Sequence, residues 1–143
     1  MRSYVQFFLM AAGIFFIDRA IKELFYGGLY WESSCITLGY TLNRGVAFSM
    51  FAFLGEYLKW ILSALVIGAF IYVARERLLA KHPLLLGILF GAAFGNLYDR
   101  FRFGGVIDYV YWHCGFDFAV FNFADVMIDF AIGGLLYLHF RKK

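Results

Sequence analysis

Residues 121–140 read FNFADVMIDFAIGGLLYLHF, an apolar run interrupted by the two carboxylates Asp125 and Asp129. A bilayer core is spanned by roughly 20 mostly apolar residues in helical form, so this stretch predicts a transmembrane helix. Over the whole chain, 63% of residues are hydrophobic, 22% are aromatic and 16% are charged. A soluble domain of 143 residues would expose much of this apolar surface to water. The chain is therefore predicted to be a single membrane domain over residues 1–143.

Three other stretches are apolar enough to form helices, although the third is short for a full span. Between the first two helices, residues rich in Gly, Thr, Ser, Tyr and Trp surround the turn signal Asn43-Arg44-Gly45 and predict a strand-bearing cap. A β-prone run, Val106 to Trp112, lies between the last two helices, and both connections are expected on the same side. The prediction is a membrane all-α, four-transmembrane-helix bundle with helices at about 4–26, 57–73, 84–97 and 121–140, a cap at about 27–55 and a loop at about 98–120.

The basic residues predict the orientation of these helices. Seven lie in the terminal flanks and in the short second connection, namely Arg2, Arg75, Arg77, Lys81, Arg141, Lys142 and Lys143. Six lie on the other side, namely Arg19, Lys22, Arg44, Lys59, Arg100 and Arg102. Because the positive-inside bias is strongest in short, dense flanks, both termini are predicted to be cytoplasmic. The net charge of +3 then reflects membrane orientation, and no basic and aromatic patch indicates a nucleic-acid partner.

The two cysteines, Cys35 and Cys114, show neither CxxC spacing nor the count of a disulfide framework. They are interpreted as free thiols or a packing pair. A disulfide is the alternative if both connections lie outside the cytoplasm.

Two aspartates lie where ionisable side chains are rare. Asp125 is predicted to lie a turn inside the fourth hydrophobic stretch, and Asp108 follows Gly104-Gly105 in an apolar, strand-like run. Taken singly, Asp125 is also explained as a helix-start carboxylate and Asp108 as a loop residue. Two carboxylates that converge in a low-dielectric site cannot both ionise cheaply, so one keeps its proton while the other takes a proton from water. That is the chemistry of an aspartic peptidase.

Other charged residues leave alternatives open. Asp18 and Lys22 lie four apart on one helix face, which by itself predicts an ordinary interfacial ion pair. The adjacent Asp99 and Arg100 are interpreted as a pair that closes the third helix. Asp129 lies one turn beyond Asp125, and the pattern does not decide between a proton-relay member and a buried, protonated partner.

Other catalytic schemes have less support in the sequence. The histidines His82, His113 and His139 are scattered without metal-ligand spacing, so no metal site is predicted. Ser49 and Ser63 lack a helix-borne base with which to form a serine protease site.

Four blocks of residues together resemble signal peptidase II, the lipoprotein signal peptidase family. They are Asp18-Arg19-Ala20-Ile21-Lys22; Asn43-Arg44-Gly45-Val46-Ala47-Phe48-Ser49; Gly95-Asn96-Leu97-Tyr98-Asp99-Arg100 with Val106-Ile107-Asp108; and Phe121-Asn122-Phe123-Ala124-Asp125. The last two blocks, in this order and spacing, are the most specific.

The resemblance implies an intramembrane aspartyl endopeptidase of the bacterial cytoplasmic (inner) membrane, without a cofactor, which cuts prolipoproteins before a diacylglyceryl-modified cysteine. Asp108 and Asp125 match the family's catalytic pair. The cap would be a small extracytoplasmic β-cradle with a short periplasmic helix. The site would lie near the outer face of the membrane, and the expected partners are lipidated prolipoproteins and membrane lipids, with the chain itself a monomer. Residues that match the substrate-binding or site-bracing positions of the family are Asp18, Lys22, Asn43, Gly45, Asn96, Arg100 and Asn122.

Two other functions fit a small four-helix protein. A proton-coupled exporter would need its key acid in the middle of the first span, whereas Asp18 lies near the end of that helix. A non-catalytic membrane adaptor would have no need for the paired Asn and Asp blocks.

Overall fold

A computed structural model describes residues 1–46 and 50–141 of the chain. Ala47 to Ser49, in the second block, and the terminal Lys142 and Lys143, used above for orientation, lie outside the described residues. The elements follow in the order α1 (Arg2–Tyr26), β1 (Trp31–Glu32), β2 (Ile36–Asn43), a 3-10 helix (Ala52–Leu54), α2 (Glu56–Arg75), α3 (Leu78–Lys81), α4 (Pro83–Phe103), β3 (Val106–Trp112) and α5 (Phe123–Phe140).

Each of the four predicted helical stretches is helical with at least one boundary shifted, and two of these shifts have a clear structural cause. Helix α4 continues to Phe103, whereas the sequence placed its end at Leu97 and a loop from residue 98. It continues because Asp99 and Arg100 are buried within the protein, so their charges do not end the helix. Helix α5 begins at Phe123 and not at 121, since Asn122 adopts the extended conformation of an N-cap.

Three of the described helices, α1, α2 and α5, are long and apolar enough to cross a membrane. The large apolar side chains on their outer faces remain exposed on the protein surface, as expected for contact with lipid. Helix α4 is not among these candidate spans, although it has 21 residues. Its last turn carries Arg100 and Arg102, which lower its apolar character.

A glycine face on α4 allows α1 to pack closely against it. Gly87, Gly91 and Gly95 recur every four residues and therefore lie on one side of the helix. A Cβ atom added at Gly87 would lie 2.8 Å from the backbone oxygen of Phe7, and one at Gly91 would meet the backbone of Ala11. Small residues of this kind are what allow helices in membranes to approach each other.

A three-stranded antiparallel sheet in the order β1-β2-β3 joins the two long connections. The run predicted to be a strand, Val106 to Trp112, forms β3 with those bounds. It pairs with β2 so that Thr41 lies opposite Asp108 and Asn43 opposite Val106. Because the two strands come from different connections, their pairing confirms that both connections lie on the same side of the helices.

The sheet register also brings the two cysteines together. Ile36 lies opposite Trp112, so the residues next to this pair are close in space. Cys35 and Cys114 form a disulfide, with their Cα atoms 4.3 Å apart. The first interpretation from the sequence, free thiols or a packing pair, was therefore wrong. It failed because the two residues are 79 positions apart and only the strand pairing makes them neighbours.

The glycine face predicts unequal effects of two alanine substitutions. Gly91→Ala should lower the free energy of unfolding by about 1–3 kcal/mol, because its methyl group has no space against α1. Gly68→Ala on α2 is the matched control, since a Cβ atom there meets nothing within 4 Å. Thermal unfolding of both variants in detergent micelles measures the difference. Equal melting temperatures would contradict this account of the α1 and α4 packing.

Candidate active site

The two aspartates singled out from the sequence line one cavity of about 410 Å³. Asp108 comes from the middle of β3, and Asp125 from the first turn of α5. A bridge between Val110 and Phe121 turns the chain back along β3 just before α5 begins. The end of the helix is thereby held beside the strand, which brings the two carboxylates to the same cavity.

Asp108 is held by two side-chain amides. Its Oδ1 accepts a hydrogen bond from Asn122 Nδ2 at 2.7 Å, and its Oδ2 accepts one from Asn43 Nδ2 at 2.9 Å. The residue is only 2% exposed. Burial raises the pKa of the Asp108 carboxyl to about 6, and the charge of Asp125 also raises it, while the two amide bonds lower it. Asp108 can therefore carry or release a proton near neutral pH.

Asp125 belongs to a capping box at the start of α5. Its backbone N–H donates to Asn122 Oδ1 at 2.9 Å, and its own Oδ2 accepts from the backbone N–H of Asn122 at 3.1 Å. It is the third residue of the helix. The sequence had predicted a position one full turn inside the helix. Its Oδ1 accepts from Asn96 Nδ2 at 2.8 Å. The helix-start interpretation is thus correct, yet the same carboxylate also faces the cavity.

The orientation of the Asn96 amide follows from its neighbour Lys22. The ammonium group of Lys22 can only donate, and its Nζ lies 2.8 Å from Asn96 Oδ1. The Nδ2 group of Asn96 must then point the other way, where it donates to Asp125.

The other two amides are oriented in the same manner. Asn122 uses its Oδ1 for the N–H of Asp125, so its Nδ2 is left to donate to Asp108 and, at 3.2 Å, to Asn96 Oδ1. Asn43 accepts the N–H of Gly45 at 2.9 Å with its Oδ1, so its Nδ2 also faces Asp108. All three amides therefore present N–H groups to the carboxylate pair, an arrangement that favours negative charge on it.

The fully buried Lys22, on α1, links this network to α4. Its Nζ lies 2.8 Å from Asp18 Oδ2 and 2.8 Å from Asp99 Oδ2, in addition to Asn96. The pairing of Asp18 with Lys22 was predicted from their spacing. Gly95 packs directly against the Asp18 carboxylate, where a Cβ atom would meet Oδ2.

The expected pair of Asp99 with Arg100 is wrong. Asp99 pairs with Arg19 and Lys22, and its Oδ2 also accepts the backbone N–H of Ile107 at 3.2 Å. Arg100 instead donates from its guanidinium to the backbone oxygen of Gly45 at 2.6 Å. Neighbours in a helix point about 100° apart, so adjacent residues rarely pair with each other.

Two further residues, Arg19 and Tyr109, support the site and were not predicted from the sequence. Arg19 is 8% exposed and pairs with Asp99 beneath the sheet. The Tyr109 hydroxyl accepts the N–H of Phe123 at 2.9 Å, and its ring stacks on Phe25 with centroids 4.2 Å apart. The charged stretch around Asp18 was a usable signal for Arg19. No sequence signal identified Tyr109, because its partner Phe123 lies beyond the turn that leads into α5.

The structure brings all of the predicted bracing residues into contact with the carboxylate pair or with each other, namely Asp18, Lys22, Asn43, Gly45, Asn96, Arg100 and Asn122. Arg100 also lines the cavity, where its positive charge is attracted to Asp108 and Asp125. The cavity thus combines two carboxylates with amide donors and a guanidinium, a set of groups that can exchange protons with a bound water molecule.

Comparisons with known proteins give the same family as the four blocks. The model of the family described as signal peptidase (SPase) II matches residues 10–141. A lipoprotein signal peptidase of Sulfurovum sp. is 54% identical over 138 residues, which cover 96% of this chain and 94% of that protein. One of Sulfurimonas denitrificans is 56% identical over 135 residues, which cover 94% and 88%. One of Helicobacter pylori is 47% identical over 140 residues, which cover 94% and 89%.

Solved structures show that the fold is shared more widely. A bacterial membrane enzyme determined by the in meso method at 2.3 Å resolution superposes with a TM-score of 0.76 at 20% identity, over 93% of this chain and 86% of that one. A second, at 1.9 Å resolution, gives 0.75 at 18% identity over 94% and 92%. The fold is therefore retained at low identity. Since the family model covers nearly the whole chain and relatives of matching length exceed half identity, this chain belongs to the signal peptidase II family.

Proposed function

We propose that this chain is an aspartyl endopeptidase that removes the signal peptide from prolipoproteins, cutting before the lipid-modified cysteine. The observation that carries the proposal is the carboxylate pair, Asp108 and Asp125, held in one cavity by three oriented amides. The names of the relatives, lipoprotein signal peptidases, supply the substrate class. The exporter alternative has no support, because Asp18 is buried against Lys22 and Gly95.

The two carboxylates divide the work of peptide hydrolysis. Asp125 lies in the first turn of α5, where the helix dipole and the N–H of Asn122 favour the ionised form. It acts as the base that takes a proton from the attacking water. Asp108 then carries the proton that is donated toward the scissile carbonyl as the tetrahedral species forms. Arg100 lies close enough to stabilise the negative charge that develops there.

The disulfide and the basic residues support an extracytoplasmic location for the site. Disulfides persist in oxidising compartments outside the bacterial cytoplasm, so the bond between Cys35 and Cys114 favours an extracytoplasmic sheet. Arg75, Arg77 and Lys81 lie at the opposite end, around α3, where the positive-inside rule favours the cytoplasm. We infer a single-domain, monomeric inner-membrane protein in which α4 also crosses the bilayer, packed against α1. The carboxylate pair then lies near the outer face, where water and a lipid-anchored substrate meet.

Replacing either carboxylate should remove most of the activity. Asp108→Asn and Asp125→Asn are nearly isosteric, but an amide can perform neither proton transfer. Each should abolish most cleavage of a lipidated prolipoprotein in micelles, and the double variant should be scarcely worse, because residues that act as a unit are non-additive.

Asp117→Asn is the control for the carboxylate pair. Asp117 lies exposed in the loop between β3 and α5, where it accepts a hydrogen bond from the Tyr111 hydroxyl, so its loss should leave turnover intact. The proposal fails if Asp108 or Asp125 can be replaced with turnover kept within about tenfold, a loss of only about 1.4 kcal/mol.

The Asn43→Ala variant tests which carboxylate is the acid. It removes a hydrogen bond that stabilises the ionised form of Asp108, so the pKa of Asp108 should rise further. If Asp108 must be protonated, activity is lost on the basic side as this proton leaves, and the higher pKa moves that loss to higher pH. The measurement is kcat/KM against pH for both proteins. A shift of the acidic limb alone would assign Asp108 as the base instead.

Reporter fusions test the orientation. A fusion after Arg77 and one at the C-terminus should both report the cytoplasm, while one between β1 and β2 should report the outside. The reason is that an even number of spans returns the chain to the side on which it began. An extracytoplasmic C-terminus would contradict both the proposed orientation of the chain and the proposal that α4 crosses the bilayer.

A further inference from the structure

We propose that Asp129 is a specificity-determining residue that accepts a hydrogen bond from the signal peptide, two to four residues before the scissile bond. The proposal rests on the peptidase function proposed above, and it adds a substrate preference to that site. Asp129 lies outside the four sequence blocks that resemble the family.

Asp129 lines the same cavity as the carboxylate pair and lies farther than Asp125 from the N-terminal end of α5. It is one helical turn after Asp125 on α5, and both residues line the 410 Å³ cavity. Helix α5 is a candidate membrane span that begins at Phe123, so Asp129 lies about 9 Å along the axis from that end. The buried alternative from the sequence is wrong, because the side chain is exposed to the cavity.

The cavity that Asp129 lines also has apolar residues in its wall. They include Leu62 and Val66 from α2, Leu97 from α4 and Ile128, which precedes Asp129 on α5. Among residues 1–46 and 50–141, Asp129 has no hydrogen bond or ion pair, whereas the carboxylates of Asp99, Asp108 and Asp125 each accept hydrogen bonds.

An unpaired carboxylate inside a membrane span is unfavourable. The cost falls when a donor occupies the cavity. In the proposed reaction the occupant is the signal peptide, which runs from the scissile bond toward the membrane interior. Asp129 therefore recognises a hydrogen-bond donor on the signal peptide.

The spacing along α5 sets which substrate residue is recognised. Four helical residues rise about 6 Å. An extended peptide covers that distance in about two residues at 3.3 Å each, and a helical one in about four. A hydroxyl or amide side chain at one of these positions would reach Asp129 while the scissile bond lies at Asp108 and Asp125.

Matched substrates test the preference. We would compare lipidated prolipoproteins that carry Thr or Val at the second, third or fourth residue before the cleavage site. At each position the two substrates differ only in a hydroxyl group in place of a methyl group. Hydrogen bonds to charged groups contribute about 1.5–3 kcal/mol, so wild-type kcat/KM should favour Thr by tenfold or more at one position. In Asp129→Leu that ratio should fall to about one, with the Val substrates still cleaved. Asp129→Asn, which keeps an acceptor oxygen, should give an intermediate ratio.

The outcomes separate this inference from the proposed function. Asp117→Leu, a loss of charge in the exposed loop between β3 and α5, should keep the wild-type ratio. A Thr to Val ratio that is the same in wild type and Asp129→Leu overturns the inference. So does loss of all cleavage in an Asp129→Leu protein that still unfolds at the wild-type temperature, since Asp129 would then serve the reaction itself. Cleavage by Asp125→Asn would instead refute the carboxylate mechanism, whatever ratio Asp129 variants give.

Discussion

The ammonium group of Lys22 is the interaction on which the rest of the site depends. It is fully buried and lies 2.8 Å from each of three oxygens, on Asp18, Asp99 and Asn96. It donates a hydrogen bond to Asn96 Oδ1 and forms ion pairs with the carboxylates of Asp18 and Asp99. Removing one partner of a buried ion pair generally costs 3–5 kcal/mol, because a charge is left uncompensated away from water. The close approach of α1 and α4 at their glycine face is what makes this arrangement geometrically possible.

From Lys22 the orientation of the site passes through amides. Lys22 fixes Asn96, whose N–H group fixes one oxygen of Asp125, and the capping box shared by Asp125 and Asn122 fixes the amide that reaches Asp108. Each step relies on a donor that cannot act as an acceptor, so no alternative orientation satisfies the network. Carboxylates placed in this way need little reorganisation during a reaction, which is how preorganised sites lower barriers.

The sheet has a complementary task, since it brings distant segments to the same place. Strand β3 supplies Asp108, the end of β2 supplies Asn43, and Ile107 next to Asp108 is tied to Asp99 on α4. The disulfide closes the far end of the same strand pair. The carboxylate pair thus lies where the helices, the N-terminus of α5 and the sheet meet. At such a junction a polar site can open to water while the helices below it remain in lipid.

The membrane character, the strand at residues 106–112, the family and the residues that surround the carboxylates could all be predicted from the sequence. These features are encoded locally, in hydropathy and in short blocks with characteristic spacing. The tertiary structure alone decided that Asp99 pairs with Arg19 and Lys22, that Cys35 bonds to Cys114, and that Asp129 faces the cavity. Each depends on residues far apart in the chain, and no local pattern specifies which distant face a side chain meets. The close packing of α1 on α4 and the register of β2 on β3 decide those partners.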